Sequence, residues 1–110
     1  MAMNNTYSTA EPARAEIDAL SGVAVLEFGA PWCGHCQAAQ PLLAEAFSGH
    51  EQIPHIKVED GKGKPLGRSF RVKLWPTMIF LKDGTEVARL VRPQDAVAIR
   101  DAFKQIDPVA

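Results

Sequence analysis

Two cysteines, Cys33 and Cys36, are all the thiols the chain has, and they stand in "GAPWCGHCQAAQP" with Gly34 and His35 between them. Sulfurs at this spacing serve zinc binding, haem attachment, a structural clip or a working dithiol. A structural zinc site takes four ligands, commonly from two C-x-x-C pairs. There is no second cysteine pair here, His35 lies inside the first, and His50 and His55 are not read as a second ligand pair, so no metal is expected. Haem attachment needs a histidine directly after the second cysteine, and Gln37 stands there instead. A disulfide closing so short a loop removes little entropy from the unfolded chain and makes a poor clip. A pair that opens and closes is the remaining use.

That chemistry needs a positioned helix. If a helix begins near Cys33, its free N–H groups and the positive end of its dipole stabilise a thiolate there, below the free value near ~8.5. Cys33 is then the nucleophile. Cys36, one turn further on, can resolve a mixed disulfide with a substrate. Gly34 is expected to let the turn approach tightly. His35 is read as a cationic or hydrogen-bonding neighbour that favours the thiolate and makes the pair more oxidising.

The elements around the pair follow from periodicity. Residues 1 to about 10 show none and read as a flexible tail or a weak edge strand on which little rides, followed by a domain over 11–110. "EPARAEIDAL" sets Ala13, Ile17 and Leu20 at helical spacing. "VAVLEF", 23–28, is a nearly continuous apolar run, as in a strand covered on both faces, interrupted by Glu27. Leu42, Leu43, Ala46 and Phe47 continue a helix after the cysteines, with a kink expected at Pro41. "IPHIKVE", 53–59, alternates as a strand, and a short helical piece is expected around Leu66 and Phe70. Two strands meet at Asp83-Gly84, a hairpin turn pair, before an amphipathic helix carrying Ala96, Ile99, Phe103 and Ile106. The fold class is α/β, a mixed central sheet with helices on both faces.

At 110 residues, 46% hydrophobic and 23% charged, the chain suits one packed domain and not a disordered class. A net charge of −1 provides no global field to recruit nucleic acid or an anionic membrane. No basic leader or spanning apolar run is apparent, so a soluble cytoplasmic protein is expected, where a sparse cysteine pair is catalytic more often than structural.

Strand "VLEF", "APWCGHC", the proline at 41, "WPT" at 75–77 and "KDG" at 82–84 together resemble the thioredoxin family, with wording closest to the catalytic domains of protein disulfide isomerase. The resemblance covers about residues 11–106. It implies the thioredoxin fold, Cys33 as attacking thiol and Cys36 as buried resolving thiol. Glu27 falls where the family carries a buried acid. Its apolar strand should raise its pKa and suit it to exchange a proton with Cys36. Lys57 is the implied partner of Glu27. Pro76 is implied to be cis, the backbone of Trp75 to pair with an extended substrate, and Trp32 and Trp75 to flank a peptide groove.

Three departures stand out: Gly29 in place of an aromatic, Leu74 in place of a common glycine, and Arg92-Pro93 in place of a glycine-containing turn. The first should remove packing beneath the site. The last should put a charge at its mouth that favours acidic substrates or further stabilises Cys33. The function expected is reduction of protein disulfides with no bound cofactor, by a monomer resupplied by a thioredoxin reductase. Disulfide oxidation or isomerisation, and a non-enzymatic peptide-binding adaptor, are the alternatives.

Overall fold

The structure is a computed structural model that describes residues 3–107, so residues 1–2 of the expected tail and 108–110 of the expected domain lie outside the described residues. The chain runs α1 (Arg14–Asp18), β1 (Val23–Gly29), α2 (Gly34–Phe47), β2 (His55–Glu59), α3 (Pro65–Ser69), β3 (Thr77–Lys82), β4 (Thr85–Val91) and α4 (Ala96–Ile106). The sheet order is β2-β1-β3-β4, with β1 and β2 parallel and the other neighbours antiparallel.

Strand β1 sits at the centre, which explains its nearly unbroken apolar run. Its residues alternate between two cores. Val25 faces Leu43, Phe47, Ile99 and Phe103 of α2 and α4, whereas Leu26 and Phe28 face Ile17, Leu66 and Phe70 on the α1 and α3 side. β3 alternates likewise, with Met78 and Phe80 on the first face and Ile79 and Leu81 on the second. Phe103 is the hub of the first core: it meets Phe47 at 4.8 Å and Phe80 at 5.4 Å, both edge to face. Truncating such a ring to alanine costs about 3–5 kcal/mol.

The hairpin turn places Asp83 (φ 50°) and Gly84 (φ 78°) both in the left-handed region. That backbone matches the right-handed twist of the flanking strands. A Cβ on Gly84 would stand 2.1 Å from the Asp18 carbonyl oxygen, so the contact with α1 demands glycine. Asp95 caps α4, accepting from the Ala98 N–H at 3.0 Å. Helix α2 runs through Pro41, whose missing N–H removes one backbone hydrogen bond from its middle.

Ahead of α1, Ser8 forms a parallel bridge with Val58. Its N–H donates to the Lys57 carbonyl and its own carbonyl accepts from the Glu59 N–H, each at 2.9 Å. The N-terminal segment is thereby held along the free edge of β2, and this places Tyr7 beneath the cysteines.

Candidate functional site

Cys33 is the N-cap of α2, and its Sγ accepts the Cys36 backbone N–H at 3.2 Å. Both thiols are free. Cys33 reaches the surface with 9% of its area and Cys36 with 1%. Burial pushes the Cys36 thiol up to about 11, with the neighbouring Cys33 adding to the rise. A Cβ on Gly34 would meet nothing within 4 Å and its φ is ordinary, so the expected tight approach within the chain is absent. The open space faces outward. His35 is exposed, on the rim of a groove with Leu42, Arg92 and Pro93, and makes no hydrogen bond or ion pair among the described residues.

Beneath Cys36 lies a buried polar ribbon. Period-two alternation puts Val25, Glu27 and Gly29 of β1 on the α2 side, and β2 contributes His55 and Lys57 opposite Val25 and Glu27. Glu27 is fully buried. Its Oε1 pairs with His55 Nε2 at 2.8 Å, and its Oε2 accepts from the Tyr7 hydroxyl and from Gln40 Nε2, each at 3.2 Å. The Asn4 backbone N–H donates to His55 Nδ1 at 2.9 Å, so these partners assign the ring proton to Nε2, where it donates to Glu27.

Two expectations are corrected here. Lys57 does not pair with Glu27 directly: its Nζ donates to Gln40 Oε1, and the amide's other end reaches the carboxylate. The carboxyl is also not raised. Burial drives it toward the neutral form, but the hydrogen bond from His55, the nearby charge of Lys57 and the Gln40 amide outweigh that and hold it below the usual carboxylate value. Lys57 is itself lowered by burial, against the opposing pull of Glu27 and Cys36.

The space left by Gly29 is not empty. A Cβ there would stand 2.6 Å from Cys36 Sγ and 2.9 Å from the Tyr7 hydroxyl, so the sulfur and the phenol converge on the missing side chain. Tyr7 packs with Ala30, Cys33 and Cys36, while Lys57 Nζ lies 4.5 Å above its ring centroid. Burial, then the charges of Glu27 and Cys36, push the phenol above its ordinary value and keep it protonated. Sequence pattern placed no function on this segment. The signal available was Gly29 itself, a vacancy beneath the site in a chain with one tyrosine to fill it. A cavity of about 350 Å³ runs from this segment past Tyr7, Gln40 and Lys57 to Cys36.

The outer rim is built differently. The Trp75-Pro76 bond is cis. Trp32 is 69% exposed and meets Trp75 edge to face at 5.5 Å, so the tryptophans pack on each other. Trp75 Nε1 donates to Asp60 at 2.9 Å. Arg92 takes φ 49°, the left-handed conformation that the common glycine would adopt freely, at a cost of about 1–2 kcal/mol. Its Nε donates to the Trp75 carbonyl at 2.7 Å and its backbone N–H to the Pro76 carbonyl at 3.0 Å. The guanidinium is thus tied to the Trp75-Pro76 loop. Leu74 projects outward, half exposed.

Among the described residues no group of three or more His, Cys, Asp or Glu side chains is placed to hold a metal. His50 and His55 follow the cysteines at the spacing of a zinc finger's second ligand pair, yet both are engaged elsewhere. His50 pairs with Asp107 at 2.7 Å, and His55 with Glu27. No helix among the described residues is long and apolar enough to cross a membrane.

Comparison with known proteins gives a consistent result. The Thioredoxin family model matches residues 6–105. Thioredoxin 2 from Pseudomonas aeruginosa, solved in its reduced form, superposes with a TM-score of 0.84 at 59% identity, covering 94% of this chain and 96% of that one. Thioredoxin-1 of Caenorhabditis elegans is 37% identical over 68 residues, 62% of this chain and 59% of its own length. Thioredoxin of Chlamydia pneumoniae is 35% identical over 79 residues, 68% of this chain and 74% of its own.

Proposed function

The chain belongs to the thioredoxin family, and we propose that it reduces protein disulfides through a dithiol cycle of Cys33 and Cys36. The observation that carries this reading is the asymmetry of the pair: Cys33 caps a helix and reaches the surface, whereas Cys36 is sealed beneath it over a buried carboxylate. The Cys33 thiolate attacks one substrate sulfur and forms a mixed disulfide, while the other substrate sulfur leaves with the electron pair. Cys36 then attacks Cys33 Sγ, the bond to substrate breaks, and the substrate departs with both sulfurs reduced. The Cys36 proton must leave for that step, and Glu27, held ionised by its neighbours, is the acceptor.

The resolved geometry supports the reductive direction. His35, the residue that would have favoured an oxidant, makes no hydrogen bond or ion pair to either sulfur among the described residues. A substrate strand lies against Trp32, Trp75 and Pro76, and displaces Arg92 Nε when it takes the Trp75 carbonyl. A thioredoxin reductase, a monomeric state and a cytoplasmic setting complete the proposal.

The test is reduction of a protein disulfide with dithiothreitol as electron source, wild type against Cys33→Ser. Turnover in the first and none in the second is expected. A reduction potential near about −270 mV supports the direction, whereas one near about −180 mV reassigns the protein to oxidation or isomerisation.

A further inference from the structure

We propose that the Tyr7 phenol relays the proton of Cys36 to Glu27 during the resolving step, an inference that rests on Cys36 being the resolving thiol and Glu27 the acceptor. The hydroxyl donates to Glu27 Oε2 at 3.2 Å, its oxygen lone pairs can take up a proton, and Cys36 Sγ converges with it on the space that a Gly29 side chain would fill. Gly29 makes this possible: any Cβ there would collide with both the sulfur and the phenol. In the relay, the proton of Cys36 passes to the Tyr7 oxygen as the phenolic proton passes to Glu27 Oε2. The Cys36–Cys33 bond forms, the Cys33–substrate bond breaks, and the electron pair leaves on the substrate sulfur. Tyr7 begins and ends neutral and Glu27 ends protonated, later releasing the proton through the adjacent cavity.

The ionisable groups facing the relay are Cys33 at the N-cap of α2, Glu27 from β1, and His55 and Lys57 from β2. Tyr7→Phe keeps the ring and deletes only the hydroxyl. Resolution of a preformed mixed disulfide on Cys33, followed in a single turnover, should slow about tenfold at pH 7. That is less than a full acid–base effect because water in the cavity can substitute. The gap should close as pH rises, while alkylation of Cys33 by iodoacetamide keeps its wild-type rate. A Tyr7→Phe rate within twofold of wild type at pH 7 overturns the relay. If Glu27→Gln slows the step and Tyr7→Phe does not, the relay alone fails; if neither slows it, the acceptor role of Glu27 fails with it.

A separate observation concerns the surface beside Trp75. Residues 60–73 carry Lys62, Lys64, Arg68, Arg71 and Lys73 against the single carboxylate of Asp60, in a chain whose net charge is −1. Together with Val72 and Trp75 these line a groove of about 590 Å³. Asp60 is committed to Trp75 Nε1 and Lys64 to the Thr9 carbonyl, which leaves Lys62, Arg68, Arg71 and Lys73 exposed and unpaired among the described residues. Since the groove is continuous with the Trp75 loop, we infer that it seats an acidic segment flanking the substrate's disulfide. Two synthetic peptides with the same internal disulfide, flanked by Glu or by Lys, separate the outcomes. The Glu peptide should show kcat/KM about tenfold higher at low salt, the gap closing as salt rises and reversing in Arg68→Glu/Arg71→Glu/Lys73→Glu. Equal kcat/KM for the two peptides at low salt overturns the docking claim, and loss of both activities would instead overturn the reductase reading.

Discussion

The two cysteines stand one helical turn apart and face opposite kinds of surroundings. Around Cys33 the rim is open: Trp32 is mostly exposed, His35 is unbonded, and Gly34 has nothing above it. Below Cys36, Glu27, His55, Gln40, Lys57 and Tyr7 form a continuous hydrogen-bonded ribbon. A nucleophile must be reached by a partner, so its neighbours are recognition surface. A resolving thiol buried beneath its partner must hand its proton to the groups around it, so its neighbours are proton acceptors and donors.

If that division holds, substitutions in the ribbon should change the resolving step far more than those on the rim. Glu27→Gln should have the largest effect, slowing resolution about 100-fold at pH 7. With the acceptor gone, the rate should follow the thiolate fraction of Cys36, rising about tenfold per pH unit up to the thiol's value of about 11. A flat profile measured by stopped flow would contradict the ribbon's role. Gly29→Ala comes next. Its methyl would sit within 3 Å of Cys36 Sγ and the Tyr7 hydroxyl, so about 1–3 kcal/mol of stability should be lost in urea unfolding, with slower resolution.

Rim substitutions should be milder. Arg92→Gly relieves the left-handed arginine and frees the Trp75 carbonyl, and KM for a disulfide peptide should fall about threefold, the equivalent of one modest hydrogen bond. His35→Ala should be the smallest, moving the reduction potential by less than about 30 mV, since the ring has no bond to lose. A larger shift would restore His35 as a tuner and blur the contrast.

Much of the fold was legible in the sequence wherever it is local. The Cys33 cap, the hairpin at Asp83-Gly84 and the closing helix each follow from a few adjacent residues. Glu27 could be placed, since one acid breaks an apolar strand. What surrounds it could not. His55 and Lys57 share a face only because β2 pairs with β1 in a particular register, and Gln40 joins them by packing across from α2. The direction of the Glu27 shift came out opposite for that reason: burial was visible in the sequence, the compensating donors were not. Tyr7 lay in a segment without periodicity, tied down by two backbone hydrogen bonds to β2.

The central claim, that Cys33 attacks and Cys36 resolves, is tested most directly by mass spectrometry of Cys36→Ser and Cys33→Ser after mixing each with a disulfide peptide at neutral pH. The account predicts a stable one-to-one adduct on Cys33 in the first variant and essentially none in the second. An adduct forming at Cys36 as fast as at Cys33 would contradict it.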